Sequence, residues 1–88
     1  MKLRVASGVV FNHVGEEIVL LDLNRGVYFG LDPIGARIWQ ALAEGADEAE
    51  IANAVAAEYE TDSETALEDV RRLVAELREA GVVEDAES

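Results

Sequence analysis

The 88-residue chain has no cysteine, one histidine, one proline, one tryptophan and only seven basic side chains. Without cysteine there is no disulfide framework, no thiolate metal site and no thiol nucleophile, a composition at home in the reducing cytoplasm, which is the expected location. The single histidine, His13, has no second histidine at ligand spacing, so no metal site is expected. Ser7, Ser63 and Ser88 have no histidine placed beside them by the sequence, which leaves a Ser–His nucleophile without support. Gly26 and Gly30 are followed by no Lys-Ser or Lys-Thr pair and form no phosphate loop. Carboxylates abound, but their pattern assigns them to helix surfaces and caps, not to a cleft for acid–base work. No catalytic residue and no cofactor is therefore expected. The longest apolar runs, Ile18 to Leu21 and Ala54 to Ala57, fall far short of the ~20 residues of a membrane helix, so no membrane association is expected either. The opening residues MKLRVASGVV lack the apolar stretch of a signal peptide.

Acidic side chains, by contrast, number 19, giving a net charge of −12. They are unevenly placed: residues 1–44 carry a net −1 and residues 45–88 a net −11. Such a surface disfavours a phosphate backbone, because nucleic-acid binding depends on Lys and Arg displacing counterions. It keeps a small domain soluble, and it favours a basic peptide or protein partner. Half of the residues are hydrophobic, enough for one globular core.

The first third reads as strand. Val9, Val10, Phe11 and Val14 precede a turn at Gly15-Glu16-Glu17, and Ile18 to Leu23 forms a second apolar run. Asn24-Arg25-Gly26 supplies a hairpin turn, and Val27 to Phe29 completes a three-stranded antiparallel meander. Its last strand lies at an edge and so has unpaired main-chain groups. The rest reads as three helices. Asp32 caps the first, with Pro33 at its first position and Ile34, Ile38, Trp39 and Leu42 at helical spacing. Gly35, on the side of Trp39, is expected to admit another backbone, and Gly45 ends the helix. Asp47 and Glu50 form a capping box for a second helix, expected to be short, with Ile51, Ala54, Val55 and Tyr59 as its apolar face. Thr61, Asp62 and Ser63 compete to cap the third. Its stripe is Leu67, Val70, Val74 and Leu77, widened on one side by Ala66 and Leu73, and Gly81 stops it. Val82-Val83 either adds a small final strand or packs as a lid. The expected fold is α+β and winged helix-turn-helix-like, a three-stranded antiparallel sheet followed by three helices. One domain spans 1–84, with a frayed acidic tail at 85–88.

The pattern Gly26-x-Tyr28-Phe29-x-Leu31-Asp32-x-x-Gly35-x-x-Ile38-Trp39-x-x-Leu42, continued by Tyr59, the capped third helix and Leu77-Arg78-Glu79-Ala80-Gly81-Val82-Val83, resembles the PqqD family over residues 5–84. The resemblance implies a recognition element for ribosomally made, post-translationally modified peptides. Members of this size serve pyrroloquinoline quinone or lasso-peptide biosynthesis; the general likeness favours the lasso-peptide member. It would hold the leader of a precursor peptide and present it to a separate leader-processing cysteine protease. The resemblance further implies that the leader adds as a strand to the third strand and lies against the third helix. Carried over by position, the leader site would comprise Val27, Tyr28, Phe29 and Gly30 from the strand and Val70, Leu73, Val74 and Leu77 from the helix. Asp69 and Glu76 flank Leu73 and would receive basic leader residues. Leu67, Val70, Val74 and Leu77, as an apolar helix stripe, are more often core than site. Tyr28 and Phe29 point to opposite faces of their strand, so one is core and one is site.

Two other functions fit the element order. A winged-helix DNA-binding protein would place its third helix in a major groove. From Ser63 to Ala80, however, that helix has three arginines against five acids, so no nucleic-acid partner is expected. A homodimeric scaffold would pair through the Val27–Phe29 edge or the third-helix stripe.

Overall fold

The computed structural model describes residues 2–86. Its elements run β1 (Leu3–Val5), β2 (Val9–Val14), β3 (Glu17–Asp22), β4 (Val27–Leu31), α1 (Pro33–Ala43), α2 (Glu48–Tyr59), α3 (Ser63–Ala80) and β5 (Val83–Asp85). The three strands β2-β3-β4 form the expected antiparallel meander, and three helices follow it. Among the described residues no helix is long and apolar enough to cross a membrane.

A second, two-stranded sheet was not foreseen. β1 pairs antiparallel with β5, placing Leu3 opposite Asp85 and Val5 opposite Val83. Three-residue strands have too little alternation to stand out in a sequence; here they are held by packing, since Leu3, Val82 and Val83 are all buried. The pairing also overtakes the expected tail. Asp85 is within a strand and bonds Arg78 at 2.5 Å, and the Ala86 N–H donates to the Lys2 carbonyl. Residues 87–88 lie outside the described residues.

Strand alternation decides which side of the meander is core. Ile18 and Leu20 of β3 are fully buried, and Phe11, Phe29 and Leu31 stand on the same face. Phe11 meets the fully buried Trp39 edge to face, with ring centres 5.6 Å apart. The helices complete this core through Ile38 and Leu42 of α1, Ile51 and Val55 of α2, and Val70, Val74 and Leu77 of α3.

Side-chain chemistry sets the helix starts. The Asp32 carboxylate accepts the Gly35 N–H at 2.7 Å. Asp47 and Glu50 complete a reciprocal capping box. Of the three competitors for α3, Asp62 prevails: its carboxylate accepts both the N–H and the hydroxyl of Thr65. Those bonds hold the Asp62 carboxyl below its ordinary value, because each favours the charged form. α2 is longer than expected, at 12 residues, and ends at Glu60 in the left-handed region (φ 53°). Gly35 also departs from expectation. A Cβ there would meet the Asp32 carboxylate at 3.2 Å and the Leu31 side chain, so the close neighbour is the end of β4, not another backbone.

Candidate functional site

β4 lies at the edge of its sheet. Successive residues of an antiparallel strand turn their main-chain groups to opposite sides. The Leu23 N–H bonds the Gly8 carbonyl, toward β2, while the Asp22 carbonyl accepts the Gly26 N–H, toward β4. With Asp22 opposite Val27, the groups of Val27, Phe29 and Leu31 face β3. Those of Tyr28 and Gly30 therefore face outward. The edge offers two N–H donors and two carbonyl acceptors to another extended chain.

The side chains of β4 divide by face. Phe29 is half-buried against the core, whereas Tyr28 is 76% exposed on the outer face. That resolves the choice sequence left open: Phe29 belongs to the core and Tyr28 to the surface. A Cβ at Gly30 would meet nothing within 4 Å, so the edge is sterically open there.

A groove of about 260 Å³ begins where β4 ends. Its walls are the first turns of α1 (Asp32, Ile34, Gly35, Ile38) and one face of α3 (Asp69, Arg72, Leu73, Glu76). The expected α3 residues thus separate into two groups. Asp69, Leu73 and Glu76 line the groove, with Leu73 half-buried between the two acids. Val70, Val74 and Leu77 line no part of it. They are at most 5% exposed and belong to the core, behind the groove wall, which agrees with the core reading of the stripe. Their spacing is the apolar stripe of α3, and a stripe facing a packed core leaves no side chain for a ligand.

Five groove residues lie outside the expected site: Asp32, Ile34, Gly35, Ile38 and Arg72. Asp32 is, from sequence, a helix cap. Ile34 shares the helical spacing of Ile38, Trp39 and Leu42, yet it is 44% exposed. It occupies the first turn, before the helix has packed onto the sheet; a large apolar residue beside an N-cap is the only sequence signal. Arg72 pairs with Asp69 at 2.6 Å. The rim is then acidic at Asp32 and Glu76, with one of three acids neutralised by a surface pair of modest strength.

A larger depression, about 460 Å³, lies between the β2–β3 turn, α1 and the end of α2. It includes His13 and Tyr59, and its Arg37 and Glu58 satisfy each other at 3.3 Å. It does not include any β4 residue.

An open sheet edge that runs into a groove between two helices defines a class: a domain suited to take an extended peptide as an added strand. The family model described as coenzyme PQQ synthesis protein D (PqqD) matches residues 17–83, and the chain belongs to the PqqD family. It is similar in structure to TbiB1 solved in complex with the TbiA(beta) leader peptide, at 40% identity and TM-score 0.89 over 100% of both chains. It is similar too to a lasso peptide synthetase B1 solved with its leader peptide, at 29% identity and TM-score 0.89 over 97% of this chain and 100% of that one. No curated protein matches the chain.

Proposed function

We propose that this chain is a non-catalytic recognition protein of lasso-peptide biosynthesis. It binds the leader of a precursor peptide and delivers it to a separate leader-processing cysteine protease. The observation that carries this reading is the likeness over the full chain to TbiB1, which was solved holding a leader peptide. The open β4 edge and the adjoining groove supply a physical means.

The leader bonds to Tyr28 and Gly30 through its main chain and follows the edge toward Asp32. One large apolar side chain then enters the groove between Ile34, Ile38 and Leu73, and a basic residue beside it meets Glu76 and Asp32. Main-chain bonds give affinity irrespective of sequence, while the groove reads the side chain. A disordered leader bears most of the ordering cost, because the protein's edge already exists. Holding the leader raises the local concentration of the attached core peptide at the protease, with no chemistry by this chain. Nucleic acid is a poor alternative: the α3 surface that would enter a groove in DNA presents Glu64, Glu68, Glu76 and Glu79 to solvent.

The test is fluorescence anisotropy of labelled leader peptides encoded beside the gene, with random duplex DNA as control. Saturable leader binding that survives moderate salt is expected. Salt-sensitive DNA binding without leader binding would overturn the reading.

A further inference from the structure

From sequence alone the β3–β4 turn is a hairpin connection. In the structure it is a junction. The Asp22 carboxylate, on a residue only 3% exposed, accepts the N–H of Asn24 at 3.0 Å and that of Arg25 at 3.3 Å, which fixes the shape of the turn. The two side chains then reach to opposite sides. The Asn24 amide donates to the Ser7 carbonyl at 2.9 Å, holding the turn to the segment before β2. The Arg25 guanidinium donates to the Ala80 carbonyl at 2.5 Å, at the last residue of α3.

The Arg25 contact is built in detail. Ala80 has one of the carbonyls that a helix end leaves without an intrahelical partner, and the negative end of the helix dipole favours a cation there. Gly81 follows with φ 79°, and a Cβ on it would lie 2.7 Å from one guanidinium nitrogen and 2.9 Å from the other. A side chain there would strain the backbone and push the guanidinium tip aside, so glycine suits both the turn and the arginine. The Asp22 carboxylate stands 3.8 Å from the Arg25 Nε and adds a favourable charge.

The position of this contact gives it a consequence. The backbone of α3 runs nearest to α2 and β5, and that of β4 nearest to β3 and α1. The two elements meant to grip one peptide are joined through the shared core, to which β4 gives Phe29 and Leu31 and α3 gives Val70, Val74 and Leu77. Arg25 spans them, two residues before β4 begins and at the end of α3.

We propose that Arg25 is a positioning residue for leader binding: its bridge from the β3–β4 turn to the C-terminal end of α3 fixes the separation between the β4 edge and the α3 wall. This rests on the leader-binding reading above. A leader engaging both walls needs them at one spacing, and a protein that visits that spacing only part of the time binds more weakly in proportion. Loss of the bridge lowers the competent fraction without removing any leader contact. The penalty therefore falls on the association rate and leaves the dissociation rate near that of the wild type.

The experiment measures leader association and dissociation by stopped-flow anisotropy for wild type, Arg25→Ala and Arg25→Lys. Two-dimensional amide spectra establish that each variant is folded. About a tenfold slower association is expected for Arg25→Ala, with dissociation within about twofold of wild type. Lysine, which still offers a cation to the Ala80 carbonyl, restores most of the loss. Should the alanine variant not fold, Arg25→Gln, which keeps the methylene stem but ends two bonds short of the guanidinium nitrogens that reach Ala80, bears the same expectation of slowed association. Native spectra with unchanged rates in the variant would overturn the proposal. A loss confined to faster dissociation would do so as well, since it would make Arg25 a direct leader contact. Absence of leader binding by the wild type would instead overturn the leader reading itself.

Discussion

Single residues separate what the domain needs in order to fold from what it offers to a partner. Trp39 is fully buried and lies edge to face with Phe11, although its indole N–H has no hydrogen-bond partner among the described residues. Its worth to the fold is apolar volume. Trp39→Ala is expected to destabilise the domain by about 3–5 kcal/mol, enough to unfold much of a domain this small. Chemical denaturation checks it, and a variant as stable as wild type would contradict the core assignment. Leu73 is the opposite case. It sits half-buried at the groove, so Leu73→Asp is expected to weaken leader binding at least tenfold while the far-ultraviolet circular dichroism stays native. Unchanged leader affinity would remove Leu73 from the site. Leu73 was legible in the sequence because it stands off the stripe of α3. Ile34 was not, since the first turn of a helix obeys the same 3.6-residue period whether or not it has reached the core.

Secondary elements announce themselves to the extent that their own residues decide them. The capping box of α2 and the strands of the meander were legible because local hydrogen bonding and long alternation set them. β1 was not, and β5 was legible only as one of two readings of Val82-Val83, because three residues become a strand only when a distant partner arrives. The cap of α3 was legible only to within three candidates, and geometry selected Asp62. Because the Asp62 carboxyl is held below its ordinary value of 3.8, its contribution to stability is full above that value and is lost as pH falls through the lowered one. The stability gap between wild type and Asp62→Ala, measured by urea denaturation along a pH series, is expected to hold near neutrality and to close in strong acid. A gap independent of pH would show that the charged cap is not its source. The outward N–H of Gly30 yields a further expectation. Proline there removes no bond to β3, because the lost donor faces solvent, and prolines are tolerated on edge strands in that position. Gly30→Pro should leave the fold intact and reduce leader affinity at least tenfold, by anisotropy. Undiminished binding would mean that the leader does not add to this edge.

At the scale of the whole molecule, the chain separates its charge from its sheet. The N-terminal half, which forms the meander and α1, is nearly neutral, and the helices α2 and α3 with β5 hold almost all of the net −12. The groove lies at the border of the two. A leader with positive charge is expected to associate more slowly as salt rises from about 50 to 500 mM, because attraction beyond contact range is screened, while its dissociation changes little. Equal association rates across that range would assign the acidic surface to solubility alone. The border also explains why the site was only half legible: composition locates charge and periodicity locates faces, but neither places the start of α1 against the middle of α3.

The pairing of β1 with β5 has a bearing on how this domain can be joined to others. Leu3 and Asp85 stand opposite one another on adjacent strands, about 5 Å apart. A host loop interrupted to receive this domain would find its point of departure and its point of return almost coincident, so the host need not be stretched. The domain is therefore suited to being spliced into the middle of a larger protein as well as to being strung before or after one.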